Sequence, residues 1–161
     1  MKKLFVLCAA GMVMLPSMLS AETAPQDIVF GELGAVEESL TGTPGSAEAG
    51  LKVATTKKLG NCMACHVAEG WAHMPLPGNI GPELSSVAHL YSEAELRGIL
   101  VNSKHMFEGT VMPSFYNVDN IIRPGDGYTG KPAKEINPLL EAQMIEDLVA
   151  MLLTFDKPEE E

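Results

Sequence analysis

The stretch Cys62-Met63-Ala64-Cys65-His66 decides how the rest of this sequence is interpreted. Two thiols three residues apart lie on one face of a helical turn, so both sulfurs can reach one edge of a flat ligand. The imidazole that follows is then placed to bind a metal at the centre of that ligand. This spacing is typical of the attachment site of a c-type haem. We therefore predict one haem c, joined covalently to Cys62 and Cys65, with His66 as an axial iron ligand.

A CxxC pair has two other common roles, and the surrounding sequence speaks against both. A thioredoxin-like redox pair needs a βαβ pattern around it, and no such pattern is visible here. A structural zinc site normally needs a second pair of ligands, but no cysteine follows Cys65. The sequence therefore favours haem attachment over a redox disulfide or a zinc site.

The N-terminus has the layout of a secretory signal peptide. Two lysines precede an apolar run over residues 4–15, and small residues follow up to Ala21. The run is short for a membrane span and no stop-transfer charges follow it. We predict cleavage after Ala21 and no membrane span in the mature chain, the alternative being an uncleaved anchor. Cys8 leaves with this peptide, and because haem c is attached outside the cytoplasm in bacteria, we expect a periplasmic protein.

Length and charge limit the classes of protein to which the chain can belong. Removal of residues 1–21 leaves 140 of the 161 residues, which is enough for one domain with one hydrophobic core. The removed segment carries two lysines and no acid, so the formal net charge changes from −10 to −12. An acidic chain of this kind is a poor candidate for binding nucleic acid or anionic lipid, and it favours a partner with a basic face.

Sequence patterning divides the mature chain into an arm, a cytochrome c domain and a tail. Residues 22–46 are rich in Gly, Pro, Thr and acids without sustained periodicity, which predicts an extended N-terminal arm held at residues 28–30 and Leu40. Residues 47–156 contain the haem motif and the periodic apolar segments. Residues 157–161 are predicted to be a charged tail.

Three helices and no strands are predicted in the cytochrome c domain. The first helix begins after Ser46 and runs to about Leu59, just before the haem motif. The second begins at Ser92, where Ser-x-x-Glu forms a capping box, and it buries one face. The last helix, residues 138–155, has the apolar spacing of an amphipathic helix with a broad buried face. The predicted fold class is therefore all-α, with helices wrapped around one haem.

The ligand on the second side of the iron decides between electron transfer and small-molecule chemistry. A thioether there closes the iron to substrates and raises its reduction potential. Met112 lies in the loop 109–113, and Pro113 stiffens the backbone beside it. We predict Met112 as the second axial ligand. The other candidates for this position are Met106, His105 and His89, whereas His73 is so close to the haem motif that a propionate or surface role is expected for it.

The second ring nitrogen of His66 also needs a partner, because a ligating imidazole normally donates that N–H to a carbonyl. The segment Gly81-Pro82 is predicted to supply the carbonyl. Pro82 and Leu84 are further predicted to pack against the haem. Three other residues that could contact the haem propionates are interpreted as ordinary surface or packing residues: Arg97, Lys104 and Trp71.

Five stretches of the sequence resemble one family of class I cytochromes c. They are residues 40–45, 59–66, 78–84, 109–113 and 142–150. The haem motif alone would identify only a cytochrome c, but the ordered combination covers most of residues 38–155. In this combination the chain resembles the monohaem SoxX subunit of the bacterial sulfur-oxidation cytochrome pair SoxAX.

The resemblance implies His66 and Met112 as axial ligands of a low-spin haem, and a heterodimer with a SoxA-type cytochrome in the periplasm. In that family the pair joins thiosulfate oxidatively to a cysteine of the carrier protein SoxYZ. Two electrons then leave through haem to a downstream acceptor. Because the chemistry is attributed to the SoxA haem, this chain is expected to relay electrons rather than to act as an enzyme alone.

Two other functions stay open from the sequence: a free-standing periplasmic electron shuttle, and an enzyme with an open haem site such as a peroxidase. The arm speaks against the shuttle, since a minimal shuttle needs no such extension, and we expect the arm to contact the partner subunit. The chain also departs from the family pattern. Residues 114–138 are longer than expected, and Met151 stands where an aromatic residue is usual. The longer segment leaves the docking geometry open.

Overall fold

The regular structure of this chain is helical. The computed structural model describes residues 22–75, 77–122, 124–125 and 129–157. In those ranges the α-helices are α1 (Ala47–Thr55), α2 (Val87–Leu90), α3 (Glu93–Asn102) and α4 (Ala142–Leu152). Single 3-10 turns lie at Pro25–Asp27, Glu32–Gly34, Cys62–Ala64, Glu69–Trp71 and Ser103–His105. Extended pairing in the described ranges is limited to one isolated bridge, Gly125 with Pro132, so the prediction of a helical protein is confirmed there.

The two ends of the chain lie outside the described residues. The predicted signal peptide, residues 1–21, and the last four residues of the predicted tail, 158–161, belong to this part. Signal cleavage therefore stays a prediction. None of the helices in the described ranges is long and apolar enough to cross a membrane.

The first helix begins where predicted and ends earlier. The hydroxyl of Ser46 accepts a backbone N–H of the first turn (3.3 Å), which caps α1. The helix ends at Thr55, and the predicted end near Leu59 is wrong. Thr56 takes an extended conformation, which ends the helix, and its N–H and hydroxyl both donate to the carbonyl of Lys52 (3.1 and 2.6 Å).

The other two predicted helices are present, with one difference in length. The capping box of α3 is confirmed, because the hydroxyl of Ser92 accepts the N–H of Glu95 and the Glu95 carboxylate accepts the N–H of Ser92. The last helix, α4, is shorter at both ends than predicted. Before it, the N–H of Leu140 donates to the carbonyl of Phe115 (3.0 Å), which holds this segment against the preceding loop.

The core lies where α1 and α3 pack against α4. Gly50 of α1 permits the close approach, since a Cβ there would lie 2.8 Å from the Cβ of Met151. Burial of each large aliphatic side chain between these helices contributes about 1.5–3 kcal/mol. The buried residues of the three helices include Val53, Ala54, Leu96, Leu100, Ile145, Leu148 and Val149.

A buried ion pair joins the N-terminal segment to this core. The guanidinium of Arg97 (3% exposed) lies 3.0 Å from the carboxylate of Glu146 (5% exposed). Arg97 also donates to the carbonyl of Val36 (2.9 Å), and Glu146 accepts the N–H of Leu40 (2.8 Å). Burial lowers the pKa of Arg97, but its bonds to Glu146 and Glu93 outweigh this and raise the pKa above its ordinary value. Arg97 is therefore not a surface residue but a buried link between three segments.

The predicted arm, residues 22–46, is held at some of the expected positions. Leu40 is 1% exposed, which confirms the anchor predicted at that residue. The anchor predicted at residues 28–30 is wrong in part, because Val29 is 82% exposed while Phe30 packs against the core and stacks on the ring of His105 with centroids 3.9 Å apart. The segment therefore has one side against the helices and another that faces solvent.

Candidate haem-attachment site

The two cysteines of the motif lie on a single tight turn. The backbone N–H groups of Cys65 and His66 both donate to the carbonyl of Cys62, at 3.0 and 2.9 Å. Side chains three residues apart lie on one face of such a 3-10 turn. Both thiols are free and partly buried. Burial raises the pKa of the Cys62 thiol to about 11. The turn thus holds two free sulfurs on one face, directly before the imidazole.

The turn is joined to α1 on its N-terminal side. The N–H of Gly60 donates to the carbonyl of Val53 near the end of the helix (3.1 Å). Asn61 then takes a left-handed conformation (φ 49°), which redirects the chain into the cysteine turn. A helix of the core therefore sets the position of the two thiols.

The imidazole of His66 is oriented by a backbone carbonyl. Its Nδ1 lies 2.7 Å from the oxygen of Pro82. Because a carbonyl oxygen can only accept, Nδ1 carries the hydrogen, and the lone pair of the neutral ring is on Nε2. The predicted carbonyl partner in the segment 81–82 is thus confirmed. The arrangement leaves Nε2 as the nitrogen that can bind a metal.

Gly81 leaves room for this ring. A Cβ at that position would lie 2.6 Å from Nδ1 and 2.8 Å from Nε2 of His66, far inside van der Waals contact. Its N–H donates to the carbonyl of Cys65 (2.8 Å), and the N–H of Gly78 donates to that of Met63 (2.8 Å). The segment 78–82 therefore folds back over the motif. This steric role of Gly81 was not indicated by the sequence, although a glycine beside a predicted ligand partner is a usable signal.

Trp71 supports the backbone of His66. Its side chain is fully buried, and Nε1 donates to the His66 carbonyl (2.9 Å). The indole ring meets the ring of Phe155 edge-on, with centroids 5.7 Å apart. Trp71 is thus a packing residue, as interpreted from the sequence, and it makes a hydrogen bond that the sequence did not indicate. Nearby Leu84 is partly buried against the core, and its N–H donates to the carbonyl of Val67 (2.9 Å).

Met112 lies in the loop that follows α3 and packs, partly buried, against the same core as Cys62. Its N–H donates to the hydroxyl of Thr110 (3.2 Å). Its carbonyl accepts from the hydroxyl of Ser103 (3.1 Å) and from the ammonium of Lys104. The backbone of Met112 is therefore held on both its donor and its acceptor side.

The other candidates for the second ligand are engaged elsewhere or lie apart from the core. The ring of His105 stacks on Phe30, and Nε2 of His89 lies 2.5 Å from the carbonyl of Asp156. Met106 is partly buried, and His73, for which a propionate or surface role was expected, is exposed. Met112 is the candidate that packs against the described hydrophobic core.

The chemistry of these side chains fits a covalently bound haem. Two free thiols on one face suit thioether bonds, and an imidazole with Nε2 as acceptor suits haem iron. A methionine thioether is a common second ligand in cytochromes c. Cys62, Cys65, His66 and Pro82 form one hydrogen-bonded unit, and Met112 and Cys62 each pack against the hydrophobic core.

Comparison with solved structures gives a match to the crystal structure of SoxXA from P. pantotrophus. The match covers 85% of this chain and 100% of that chain, with 49% sequence identity and a TM-score of 0.81. This chain belongs to the SoxX family. The comparison thus confirms the resemblance to SoxX that the sequence indicated. No protein-family model matches the sequence, and no curated protein matches it.

Proposed function

We propose that this SoxX-family chain is the monohaem electron-transfer subunit of a periplasmic thiosulfate-oxidising complex. Cys62 and Cys65 would hold one haem c through thioether bonds, with His66 and Met112 as axial ligands. The observation that carries the proposal is the 2.7 Å bond between Nδ1 of His66 and Pro82. It leaves Nε2 as the coordinating atom, directly after two free thiols.

The ligand set favours electron relay over catalysis by this chain. When bound, a haem with imidazole and thioether ligands supplies a one-electron redox couple. The Nδ1–H bond of His66 to a carbonyl orients the ring and increases its basicity as a ligand. Met112 would occupy the side of the iron on which a substrate would otherwise bind, so the chain would offer no open position for thiosulfate or peroxide.

The proposed partner is a SoxA-type cytochrome. The support is the 49% identity to a chain of a SoxXA crystal structure over the whole of that chain. Thiosulfate and the SoxYZ carrier would react at the partner, and the electrons would pass through this chain to a downstream acceptor. A free-standing periplasmic shuttle is the second candidate function, and the experiment below distinguishes the two.

The test is co-purification of the tagged mature chain from its native periplasm, with haem staining of the eluate. The proposal expects a second haem-bearing chain in equal amount, and reduction of the haem when thiosulfate and the carrier are added. A lone haem protein under several salt conditions would contradict the complex and support the free shuttle. A five-coordinate ferric spectrum would instead point to an open haem site.

The exposed side of the arm is the proposed contact with the partner. Val29 and Leu33 are 82% and 66% exposed, whereas Val36 and Leu40 are buried in the core. Removal of the whole arm would uncover the ion pair described above, so single substitutions are the sharper test. Val29→Asp and Leu33→Asn should weaken co-purification without changing the haem spectrum; asparagine suits the left-handed backbone of Leu33 (φ 53°). Unchanged co-purification would contradict this contact.

The assignment of Met112 has its own test with a matched control. Met112→Ala should abolish the weak sulfur-to-iron absorption band of the ferric protein and lower the reduction potential. Met106→Ala, which removes a neighbouring methionine outside the proposed ligand set, should leave the band unchanged. The opposite result, or loss of the band in neither variant, would move the assignment away from Met112.

A further inference from the structure

We propose that two hydroxyl groups, those of Ser103 and Thr110, position Met112 for coordination by holding its backbone on both sides. The proposal rests on the proposed axial role of Met112 and adds how that residue is kept in place. Ser103 and Thr110 are positioning residues, because they act on the ligand through its peptide groups and not on the iron.

A thioether needs such support because it cannot be oriented by hydrogen bonds of its own. The sulfur of methionine is a weak acceptor, and the side chain has three rotatable bonds. The loop around Met112 is exposed. Val111 is 85% exposed, and Gly109 takes a left-handed conformation (φ +76°), where an added Cβ would have no atom within 4 Å. The exposed loop therefore offers little packing to fix the backbone of Met112, so hydrogen bonds to the peptide groups of Met112 are needed to hold it.

The two hydroxyls approach Met112 from opposite sides of its peptide groups. Ser103 is 0% exposed, and its Oγ donates to the Met112 carbonyl at 3.1 Å. The hydroxyl of Thr110 accepts the Met112 N–H at 3.2 Å. The ammonium of Lys104 also meets the carbonyl, but from the exposed side, where water can replace it. Ser103 is thus the donor that water cannot substitute.

The turn that carries Ser103 is itself fixed by the N-terminal segment. The rings of Phe30 and His105 stack with centroids 3.9 Å apart and an interplanar angle of 21°. Gly34 lies so close to this turn that a Cβ there would be 2.7 Å from the Cβ of His105. The turn Ser103–His105 therefore has little freedom to move away from the Met112 carbonyl.

The chain after the loop is joined to the same region. The hydroxyl of Ser114 donates to Oδ1 of Asn102 (2.7 Å), and the N–H of Phe115 donates to the carbonyl of Leu100 (3.0 Å). The chain directly after Met112 is thus bonded to the end of α3. These bonds hold the end of the loop, and the hydroxyls of Ser103 and Thr110 hold Met112 itself.

The experiment uses the haem-loaded full mature chain and the variants Ser103→Ala and Thr110→Val. The readouts are the sulfur-to-iron band during heating, the reduction potential, and the helical signal in circular dichroism. Each variant should raise the fraction of chains that have lost the band by about two- to ten-fold, at temperatures where the helical signal is unchanged. The reduction potential should fall in parallel.

The chain offers matched controls for these variants. Ser85 is a buried serine (8% exposed) whose hydroxyl accepts the N–H of Glu69 (2.8 Å) on the His66 side. Ser85→Ala removes a comparable buried hydroxyl and should leave the methionine band and the potential at their original values. Thr110→Ser keeps the hydroxyl and should restore the behaviour that Thr110→Val loses. Lys104→Met should have the smaller effect of an exposed donor.

The outcomes separate this inference from the proposed ligand. If Met112→Ala keeps the band, the ligand assignment itself fails. If Met112→Ala loses the band, but Thr110→Val loses it no earlier than Thr110→Ser, the positioning role is overturned while ligation by Met112 stands. The Thr110 pair decides the matter even if Ser103→Ala does not fold, because Thr110 is only partly buried and valine has the same shape. A Ser103→Ala variant that folds and behaves like Ser85→Ala would also overturn the proposal.

Discussion

The His66 side and the Met112 side of the proposed haem site are held by different kinds of contact. The imidazole of His66 is bonded through its own ring nitrogen to the Pro82 carbonyl, and its backbone carbonyl is bonded by Trp71. Met112 is bonded only through its backbone, by the hydroxyls of Ser103 and Thr110 and the ammonium of Lys104.

The difference follows from the chemistry of the two side chains. An imidazole has a second nitrogen, which can donate a hydrogen bond to a carbonyl, so the orientation of the ring can be set at the side chain itself. A thioether has no such group, so its direction depends on where the chain places the peptide before and after it. The histidine side therefore tolerates loss of distant contacts better than the methionine side, and the predictions below test this asymmetry.

The largest effect on stability is expected when the buried Arg97–Glu146 ion pair of the helical core is broken, because both sides of the proposed site depend on this core. Arg97→Met leaves the Glu146 carboxylate buried without its partner, which should lower the free energy of unfolding by about 3–5 kcal/mol. Urea unfolding followed by circular dichroism measures this, and the haem signals of both sides should be lost together. The double variant Arg97→Met/Glu146→Leu should recover part of the loss. Lys57→Met, at an exposed position, should change stability by less than about 0.5 kcal/mol.

Gly81→Ala should affect the histidine side alone. Its methyl group would overlap the His66 ring, so the ring must leave the Pro82 carbonyl or the segment 78–82 must shift, at a cost of about 3 kcal/mol. Haem content and the low-spin ferric spectrum measure the loss. Gly109→Ala is the matched control on the methionine side, because nothing lies near its Cβ and only the strain of positive φ is added. Equal loss of low-spin haem in both variants would contradict the asymmetry.

Trp71→Phe should have a smaller effect on the same side. The phenyl ring keeps contact with Phe155 but leaves the His66 carbonyl without its donor and a small space in the core, at a cost of about 1–2 kcal/mol. The urea midpoint should fall while the sulfur-to-iron band persists up to the unfolding transition. Early loss of that band would mean that Trp71 supports Met112 as well, and would weaken the comparison.

The smallest expected effect concerns acid and the start of α3. Bonds from the N–H and then from the hydroxyl of Ser92 hold the pKa of Glu95 below its ordinary value of 4.5. The capping box therefore contributes stability above pH 4.5, and this contribution is lost as the pH falls through the lowered pKa of the folded chain. The midpoints of thermal unfolding of the original chain and of Glu95→Gln should differ at about pH 7 and become equal in acid. A constant difference over that range would contradict this.

Local features of the sequence were read correctly where the contact lies within a few residues. The cap of α1 at Ser46 and the capping box at Ser92 and Glu95 are examples, since both depend on neighbours three residues apart. The carbonyl partner of His66 lies 16 residues away and was found for a different reason, because a ligating histidine normally donates its second N–H to a carbonyl.

Two features that the sequence did not show depend on partners that are distant along the chain. Arg97 was interpreted as an ordinary surface or packing residue, but the sequence did not show that its partner Glu146 comes from another helix and Val36 from the N-terminal segment. The late start of α4 likewise depends on a bond between Leu140 and Phe115 in the preceding loop. Periodicity describes only one segment at a time, so it cannot show which segments meet.

The sequence by itself determined the helical class, the CxxCH turn and the resemblance to the SoxX family, because each depends on residue types at fixed short spacing. Only the tertiary structure decided how the site is supported. It placed Gly81 against the imidazole, the Trp71 indole under the His66 carbonyl, and the hydroxyl of Ser103 at the Met112 carbonyl. The physical reason is that close packing and hydrogen bonds between separate loops depend on distances in space, which spacing along the chain does not encode.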